Sequence, residues 1–323
     1  MTLETFTEIG ADPGDDVPAL PTLSPSRAAD FKTCPLLYRF RAIDKLPERP
    51  TVDQARGTLV HAVLERLFDL PAPSRTPQAA ADLVAPEWRR LLAEHPDLAE
   101  LFTAEPTRGA TESPVDQEEF LESARYLLAG YFAVEDPRRL EPAEREHYVQ
   151  TVIDDQLLIR GYVDRLDVSP AGDLRVVDYK TGGAPREAFE ARALFQLKFY
   201  ALVLWRSRGA VPRVLRLLYL KDAEACDYTP DAEELARFER TLLALWQAIA
   251  QATEARDFRP KPSRLCGWCA HQDKCPAFGG TPPPYPETTA PHDGVSAAGA
   301  PAVPGDTAPP APVAAGGAPP PAG

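Results

Sequence analysis

The feature that most constrains the fold of this 323-residue chain is a pair of apolar segments joined by a turn. Leu157 to Val168 and Leu174 to Tyr179 alternate or run apolar and contain β-branched residues, and Ala171-Gly172-Asp173 separates them. This pattern predicts two strands joined as a hairpin. A third apolar segment, Tyr148 to Ile153, comes just before the hairpin and predicts a neighbouring strand of the same sheet.

The segments around the hairpin alternate between helical and strand patterns. In the helix Gly57 to Phe68, apolar residues recur at near-helical spacing, and Ser24 is a suitable N-cap for an earlier helix that continues to Phe31. The sequence also predicts helices over Pro35 to Ala42, 78–135 (with polar interruptions), Ala188 to Arg206 and Asp231 to Ala255, and a strand over Val214 to Leu220. This order indicates an α/β fold with a helical part in front of the sheet.

The two ends of the chain differ in composition from the middle. Residues 1–20 are acidic, and residues 279–323 are rich in Pro, Ala and Gly, so we expect both to be disordered around a folded unit at 21–278. The formal net charge of -13 argues against broad, nonspecific affinity for DNA. It allows a local basic groove, for which the candidate lining residues are Arg27, Lys32, Arg39, Arg41 and Lys45.

No apolar run is long enough to span a bilayer, and the chain does not start with a basic segment followed by an apolar core. We therefore expect a soluble, cytoplasmic protein that does not contact a membrane. The sequence contains no Gly-x4-Gly-Lys-Ser/Thr phosphate loop, so it has no recognisable motor of its own. The sequence leaves the oligomeric state open.

Two carboxylates and a lysine lie at the end of the predicted hairpin. Asp178 and Lys180 occupy alternate positions of one strand and should face the same side, and Asp164 lies on the partner strand. Carboxylate oxygens suit Mg²⁺, and a nearby ammonium can orient water and offset developing charge. These residues therefore indicate phosphodiester hydrolysis; the alternative is a surface hairpin with charged ends.

The five cysteines point to a metal centre rather than to a disulfide framework. Cys266, Cys269 and Cys275 form a Cys-x2-Cys-x5-Cys cluster, and Cys34 lies more than two hundred residues earlier. Four thiolates can hold zinc or an iron–sulfur cluster, and the spacing alone does not choose between them. Cys226 has no place in this pattern and is expected to be an ordinary half-buried thiol.

Three motifs together resemble the RecB-family nuclease domain of the PD-(D/E)XK superfamily. They are Gly-Tyr-Val-Asp164-Arg, Asp178-Tyr179-Lys180-Thr-Gly and Gln196-x3-Tyr200, and the resemblance extends over roughly 22–278. It implies a restriction-endonuclease-like core, with a mixed central sheet flanked by helices, an N-terminal helical part and a C-terminal Cys-cluster segment. It also implies the following roles: Asp164, Asp178 and Lys180 as catalytic residues, the Tyr179 carbonyl as a metal ligand, and Gln196 and Tyr200 as supporting residues.

The same resemblance implies a histidine ligand on an earlier helix and a glutamate ahead of the hairpin. Gly57, His61 and Glu65 are spaced by four and share one helix face, so His61 is expected to join Asp164 and Asp178 around Mg²⁺ or Mn²⁺. Glu146 is the candidate glutamate, and Glu144 is its rival.

The cysteine pattern resembles the iron–sulfur subset of this family, which includes AddB-type nucleases and CRISPR-associated adaptation nucleases. This implies a 4Fe-4S cluster, favoured over zinc, held by Cys34, Cys266, Cys269 and Cys275. Such a cluster would join the two ends of the folded unit and close a very long loop.

The function implied is that of a metal-dependent DNA nuclease, an exonuclease acting on single strands or ends in DNA repair or recombination. Because the chain has no motor motif, any unwinding would come from a separate helicase. The alternative is a DNA-binding or scaffold module with vestigial nuclease activity, working with such a helicase.

Overall fold

The computed structural model describes residues 20–103, 116–184 and 190–287. They form a mixed α/β structure in which helices flank a six-stranded sheet. The strands and helices, in chain order, are β1 (Thr22–Leu23), α1 (Pro25–Thr33), α2 (Pro35–Tyr38), α3 (Val52–Leu67), α4 (Pro77–Glu94), α5 (Glu100–Thr103), α6 (Gln117–Val134), β2 (Glu144–Ile153), β3 (Leu157–Val168), β4 (Leu174–Lys180), α7 (Glu190–Arg208), β5 (Val214–Tyr219), β6 (Glu224–Tyr228) and α8 (Ala232–Ala255).

The long strand β3 organises the sheet. It pairs antiparallel with β2 along most of its length, while its other edge pairs with β1 at residues 158–159 and with β4 at residues 165–168. The sheet then continues through a parallel β4–β5 pair and an antiparallel β5–β6 pair. The mixed central sheet expected from the sequence is therefore present, and it matches a restriction-endonuclease-like fold.

Local sequence signals set the starts of the helices. The Ser24 hydroxyl accepts a hydrogen bond from the Arg27 N–H ahead of α1, and Pro25 occupies the first turn. Helix α3 begins five residues earlier than the predicted Gly57, because Thr51 and Gln54 form a capping box. The predicted helix from Pro35 to Ala42 is α2 followed by a π-helical turn, Arg39–Ile43.

Other elements differ from the sequence prediction. The region 78–135 contains two long helices, α4 and α6, and its middle lies outside the described residues. The start predicted at Ala188 for α7 also lies outside them. Strand β1 has only two residues, and the side chains of β6 are mostly exposed, so neither has the apolar pattern from which a strand is predicted.

The sheet buries an apolar layer on each face. One layer includes Val176 and Leu217 and packs against α7 and α8, whereas the other includes Val177 and Leu218 and packs against α3, α4 and α6. Consecutive residues of β4 and β5 therefore enter opposite layers, as the two-residue period of a strand requires. Among the described residues, no helix combines the length and the apolar run needed to cross a bilayer.

The packed chain extends past the boundary predicted at 278. The Arg39 guanidinium donates to the Pro283 carbonyl, and the ring of Tyr285 stacks on Phe258 with centroids 6.3 Å apart. Pro283 and Tyr285 therefore contact the folded unit, although they lie beyond the boundary predicted at 278. The predicted tails at 1–19 and 288–323 lie outside the described residues.

Candidate metal site

The candidate site lies where β3 and β4 separate. Their pairing ends at Arg165 opposite Val177. Beyond this pair, the Tyr179 N–H of β4 donates to Asp164 Oδ2 of β3 at 2.8 Å. A side-chain carboxylate thus takes the place of the next main-chain partner. This hydrogen bond fixes the Asp164 side chain at the fork between the two strands.

Three side chains from three elements converge beside this fork. His61 comes from α3, Glu146 from β2 and Asp164 from β3, and one potential ligand atom of each lies within 4.8 Å of the others. The His61 Nδ1 is 3.5 Å from Asp164 Oδ2 and 3.8 Å from Glu146 Oε1. One imidazole and two carboxylates make a donor set suited to a divalent cation.

Glu146 reaches the site through an unusual backbone conformation. Its φ is +42°, although β2 stays in register with β3 on either side, at Arg145 opposite Arg165 and His147 opposite Val163. Glu146 therefore stands across from Asp164, where two like charges repel each other. A left-handed conformation at a non-glycine residue has an energetic cost and is concentrated at functional sites. A cation between the two carboxylates would relieve the repulsion.

Asp178 and Lys180 continue the site toward α7. The Lys180 Nζ donates to Gln196 Oε1 at 2.8 Å, and the Gln196 amide donates to the Tyr200 hydroxyl at 3.2 Å. The Asp178 Oδ2 lies 3.0 Å from Lys180 Nζ, but it forms no hydrogen bond of acceptable geometry with the described residues. A buried carboxylate oxygen in this state retains capacity to accept a proton or to bind a cation.

The charges of the site shift the pKa values of its members. Burial alone would lower the pKa of His61, but the carboxylates of Asp164 and Glu146 outweigh burial and raise it to about 9. Burial raises the pKa of Asp178 to about 6 against the opposing effect of Lys180, and it also raises the pKa of Asp164. The site therefore favours bound positive charge, which a divalent cation can supply in place of the imidazole proton.

The two ring nitrogens of His61 face different partners. Its Nε2 lies 2.9 Å from the Tyr179 carbonyl oxygen, which can only accept, so Nε2 carries a proton. Its Nδ1 faces the carboxylates and is the nitrogen available to a metal ion. Metal-binding histidines commonly donate their second N–H in this manner, which fixes the ring.

The structure brings most of the predicted site residues together but divides them into two groups. Asp178 pairs with Lys180 and is not a member of the three-residue group of His61, Glu146 and Asp164. The Tyr179 carbonyl, predicted as a metal ligand, accepts a hydrogen bond from His61. The Gln196 amide oxygen accepts a hydrogen bond from Lys180, and the Tyr200 hydroxyl accepts one from the Gln196 amide, so both predicted supporting residues lie beside Lys180.

Glu146 and its rival Glu144 have different surroundings. The Glu144 carboxylate pairs with Arg208 at 2.8 Å and with His147 at 3.1 Å, facing away from the group around Asp164. Only Glu146 contacts His61. Of the two glutamates, Glu146 is thus the one whose side chain lies beside His61 and Asp164.

Two of the five residues proposed from the sequence to line a basic groove are paired with carboxylates. Arg39 is buried and pairs with Asp44 at 3.0 Å, and Arg41 makes a bidentate pair with Glu48 and a third bond to Asp30. These guanidinium groups are held by carboxylates of their own segment, so that part of the prediction is wrong. The charges of Arg39 and Arg41, which the sequence pattern suggests are available to DNA, are neutralised by nearby acidic residues.

The four cysteines of the predicted cluster are free and half-buried. The Cys34 Sγ accepts from the Lys261 N–H at 3.3 Å, which joins the turn before α2 to the C-terminal Cys segment. Burial raises the pKa of the Cys269 thiol, and the charges of Cys266 and Cys34 add to that effect. Cys226 lies apart on β6, half-buried as expected.

Comparisons with known proteins identify a family and related sequences. The sequence model of the PD-(D/E)XK nuclease superfamily matches residues 22–276. The Gene 69 protein of Mycobacterium phage D29 is 25% identical over 271 residues, covering 80% of this chain and 98% of the phage protein. The Gene 69 protein of Mycobacterium phage L5 is 24% identical over 289 residues, with 80% and 97% covered.

A solved structure of a candidate exonuclease from Eubacterium rectale overlaps 78% of this chain and 88% of its own. The sequence identity is 10% and the TM-score is 0.47. A score below 0.5 is too low to establish a common fold, so the family match to residues 22–276 is the stronger of these findings.

Proposed function

Because this chain belongs to the PD-(D/E)XK nuclease superfamily, we propose that it hydrolyses DNA phosphodiester bonds with the help of a divalent cation. The observation that carries the proposal is the convergence of His61, Glu146 and Asp164 beside the Asp178–Lys180 pair. The residues of the family motifs are all present, in two neighbouring groups. This supports an active nuclease over a binding or scaffold module with vestigial activity.

The residues at the site fit a divalent cation. Two opposed carboxylates, an imidazole nitrogen and the buried Asp178 oxygen supply hard donors and excess negative charge. Mg²⁺ prefers oxygen ligands alone, whereas Mn²⁺ accepts an imidazole more readily. We therefore propose that His61, Glu146 and Asp164 hold Mn²⁺ or Mg²⁺, with Asp178 and the Tyr179 carbonyl at its margin, and that Mn²⁺ binds more tightly.

The remaining residues of the site handle protons and charge. A bound divalent cation polarises the phosphoryl oxygen and lowers the pKa of water. The Lys180 Nζ, oriented by Gln196 and Asp178, can donate a hydrogen bond to the attacking water or to the phosphate oxygen that gains charge. Gln196, itself bonded to Tyr200, keeps Lys180 in this orientation. Lys180 and Asp178 are both buried, and burial strengthens the electrostatic attraction between them.

We further propose exonuclease action on single strands or DNA ends, in repair or recombination, with a separate helicase. The support is the family resemblance, the sequence without a phosphate loop, and the acidic net charge, which disfavours broad duplex binding.

The test measures cleavage of end-labelled linear and circular DNA, single- and double-stranded, with Mn²⁺, Mg²⁺ or EDTA. The variants are Asp178→Asn and, as a matched control, Asp173→Asn just before the far end of β4, where the carboxylate pairs with the exposed Arg213. We expect metal-dependent cleavage of linear DNA by wild type and by Asp173→Asn, and a loss of at least about 100-fold in Asp178→Asn. Equal cleavage by all three proteins would contradict the assigned site, and cleavage of circles would make the enzyme an endonuclease.

A 4Fe-4S cluster held by Cys34, Cys266, Cys269 and Cys275 is the second part of the proposal. The support is the Cys-x2-Cys-x5-Cys pattern with the distant Cys34, which resembles the iron–sulfur subset of the family. The Cys34 Sγ also accepts a hydrogen bond from the Lys261 N–H at 3.3 Å, which brings Cys34 next to the C-terminal Cys segment.

A further inference from the structure

Arg165 follows Asp164 in the sequence, yet its side chain points away from the metal site. It is completely buried and lies on the face of the sheet that packs against α3 and α6. Its guanidinium donates to both carboxylate oxygens of Glu135, at 2.8 and 3.0 Å, and to both of Asp167, at 3.1 Å each. A fifth bond, at 2.9 Å, goes to the Tyr179 hydroxyl.

This arrangement forms an extended network in which two arginines share each of the two carboxylates. Glu135 also accepts from Arg216 of β5 at 3.2 Å, and Asp167 pairs with Arg175 of β4 at 2.8 Å. Bidentate charge-assisted bonds are strong and directional, and a buried network with every member satisfied is rigid. Arg165 is therefore held from several sides and is a fixed point for the Tyr179 hydroxyl.

Tyr179 connects this network to the metal site. Its ring lies on the network side of β4, with its edge toward Tyr131, while its neighbours Asp178 and Lys180 face α7. Its main chain contacts two site residues: the N–H donates to Asp164 at 2.8 Å, and the carbonyl accepts from His61 at 2.9 Å. The orientation of one peptide segment thus sets the positions of Asp164, His61 and Asp178 together.

We propose that Arg165 is a positioning residue, which acts through the Tyr179 hydroxyl to hold the Asp164–His61–Asp178 geometry needed for the divalent cation. The inference rests on the proposed function, because it assigns a role toward the cation of that site. Tyr179 is anchored at both ends, with its hydroxyl on the buried network and its main chain on the site residues. Loss of the hydroxyl bond leaves the ring held by packing alone.

Tyr179→Phe tests this proposal, because it removes the hydroxyl that accepts from Arg165 and so breaks this side-chain link between the network and the site. Tyr131→Phe is the matched control: it is also a buried tyrosine, its ring contacts Tyr179, and its hydroxyl has no hydrogen-bond partner among the described residues. Both changes delete one buried oxygen and keep the ring. Only the first deletes a bond to Arg165.

Two readouts separate positioning from folding. The first is Mn²⁺ binding by titration calorimetry on the full chain without DNA, and the second is kcat and KM for DNA cleavage well below the melting temperature. We expect Tyr179→Phe to weaken Mn²⁺ binding by about 5- to 10-fold and to lower kcat by about 10-fold, with KM for DNA within about twofold of wild type. Tyr131→Phe should match wild type in all three quantities.

Arg165→Lys provides an independent variant, since lysine keeps the charge but cannot form the two bidentate pairs. If it folds, it should show the same Mn²⁺ and kcat defects as Tyr179→Phe. The inference is overturned if Tyr179→Phe binds Mn²⁺ and turns over like wild type, or if Tyr131→Phe shows an equal defect. Wild type that neither binds Mn²⁺ nor cleaves DNA would instead refute the proposed function, and this inference with it.

Discussion

Helix α6 approaches the sheet so closely that one added methyl group should destabilise the fold. A Cβ built on Gly130 would lie 1.8 Å from the Leu220 carbonyl oxygen and 2.9 Å from its carbon. These are main-chain atoms, and the Leu220 N–H is bonded to the Lys180 carbonyl, so they cannot rotate away. In Gly130→Ala, either α6 or the end of β5 must move by more than 1 Å, judged from an ordinary contact of about 3.5 Å.

The expected change in the free energy of unfolding of Gly130→Ala follows from two opposing effects. In an exposed helix, Gly→Ala stabilises by about 1 kcal/mol. Overpacking of a filled site costs about 1–3 kcal/mol, and occasionally more, and an overlap with rigid main chain belongs at the upper end. We expect a net loss of about 2 kcal/mol in the free energy of unfolding. For a domain of this size, this corresponds to a melting temperature lower by about 4–8 °C.

Thermal and urea denaturation followed by circular dichroism measure the effect, with Gly57→Ala as the matched control. Gly57 also lies within a helix, α3, but its added Cβ would only touch the Thr181 hydroxyl at 3.4 Å, an ordinary contact. This control should be as stable as wild type or more stable by up to about 1 kcal/mol. If Gly130→Ala were equally stable, helix propensity rather than close packing would govern the position, and the reasoning would fail.

Three further predictions concern the site and the Cys segment. Gly161→Ala places a Cβ 2.7 Å from the Tyr200 ring, so the ring should shift. Nuclease activity in cleavage assays should fall by at least about 10-fold, and the free energy of unfolding in denaturation assays should fall by about 1–3 kcal/mol. Glu146→Gln should weaken Mn²⁺ binding by about 10-fold in calorimetry, whereas Glu144→Gln should not; equal effects would exclude Glu146 as the ligand. Anaerobically prepared wild type should contain iron and acid-labile sulfide, and Cys269→Ser should lose both and unfold at a lower temperature; a zinc-containing wild type would contradict the cluster.

Several elements could be predicted from the sequence because their signals are local. The apolar runs of β3 and β4 and the turn between them predict the hairpin, and Ser24 predicts the start of α1. The alternation of a strand also predicts that Asp178 and Lys180 share a face, where the structure places them 3.0 Å apart. In each case, neighbouring residues in the chain determine the structure.

The choice between Glu144 and Glu146 required the tertiary structure. The two residues are separated by one position and carry the same charge, and ordinary strand alternation would direct both to the same face. Instead, the left-handed backbone at Glu146 directs its side chain to His61, while Glu144 pairs with Arg208. A positive φ at one residue of a strand, as at Glu146, depends on contacts with residues far away in the chain.

Which charged groups pair with each other was likewise decided by the folded structure, through contacts both within one segment and across the chain. As a sequence, Arg165 is one arginine in an apolar strand, and Arg39 and Arg41 form part of a basic stretch. In the fold, Glu135 at the C-cap of α6 neutralises Arg165, and Glu48 and Asp30 neutralise Arg41. The sequence by itself determined which chemical groups this protein possesses and which secondary structures carry them, because side-chain identity and backbone periodicity are local properties. The tertiary structure alone decided which charges meet, because electrostatic pairing falls off over a few ångströms and depends on distances that the fold creates.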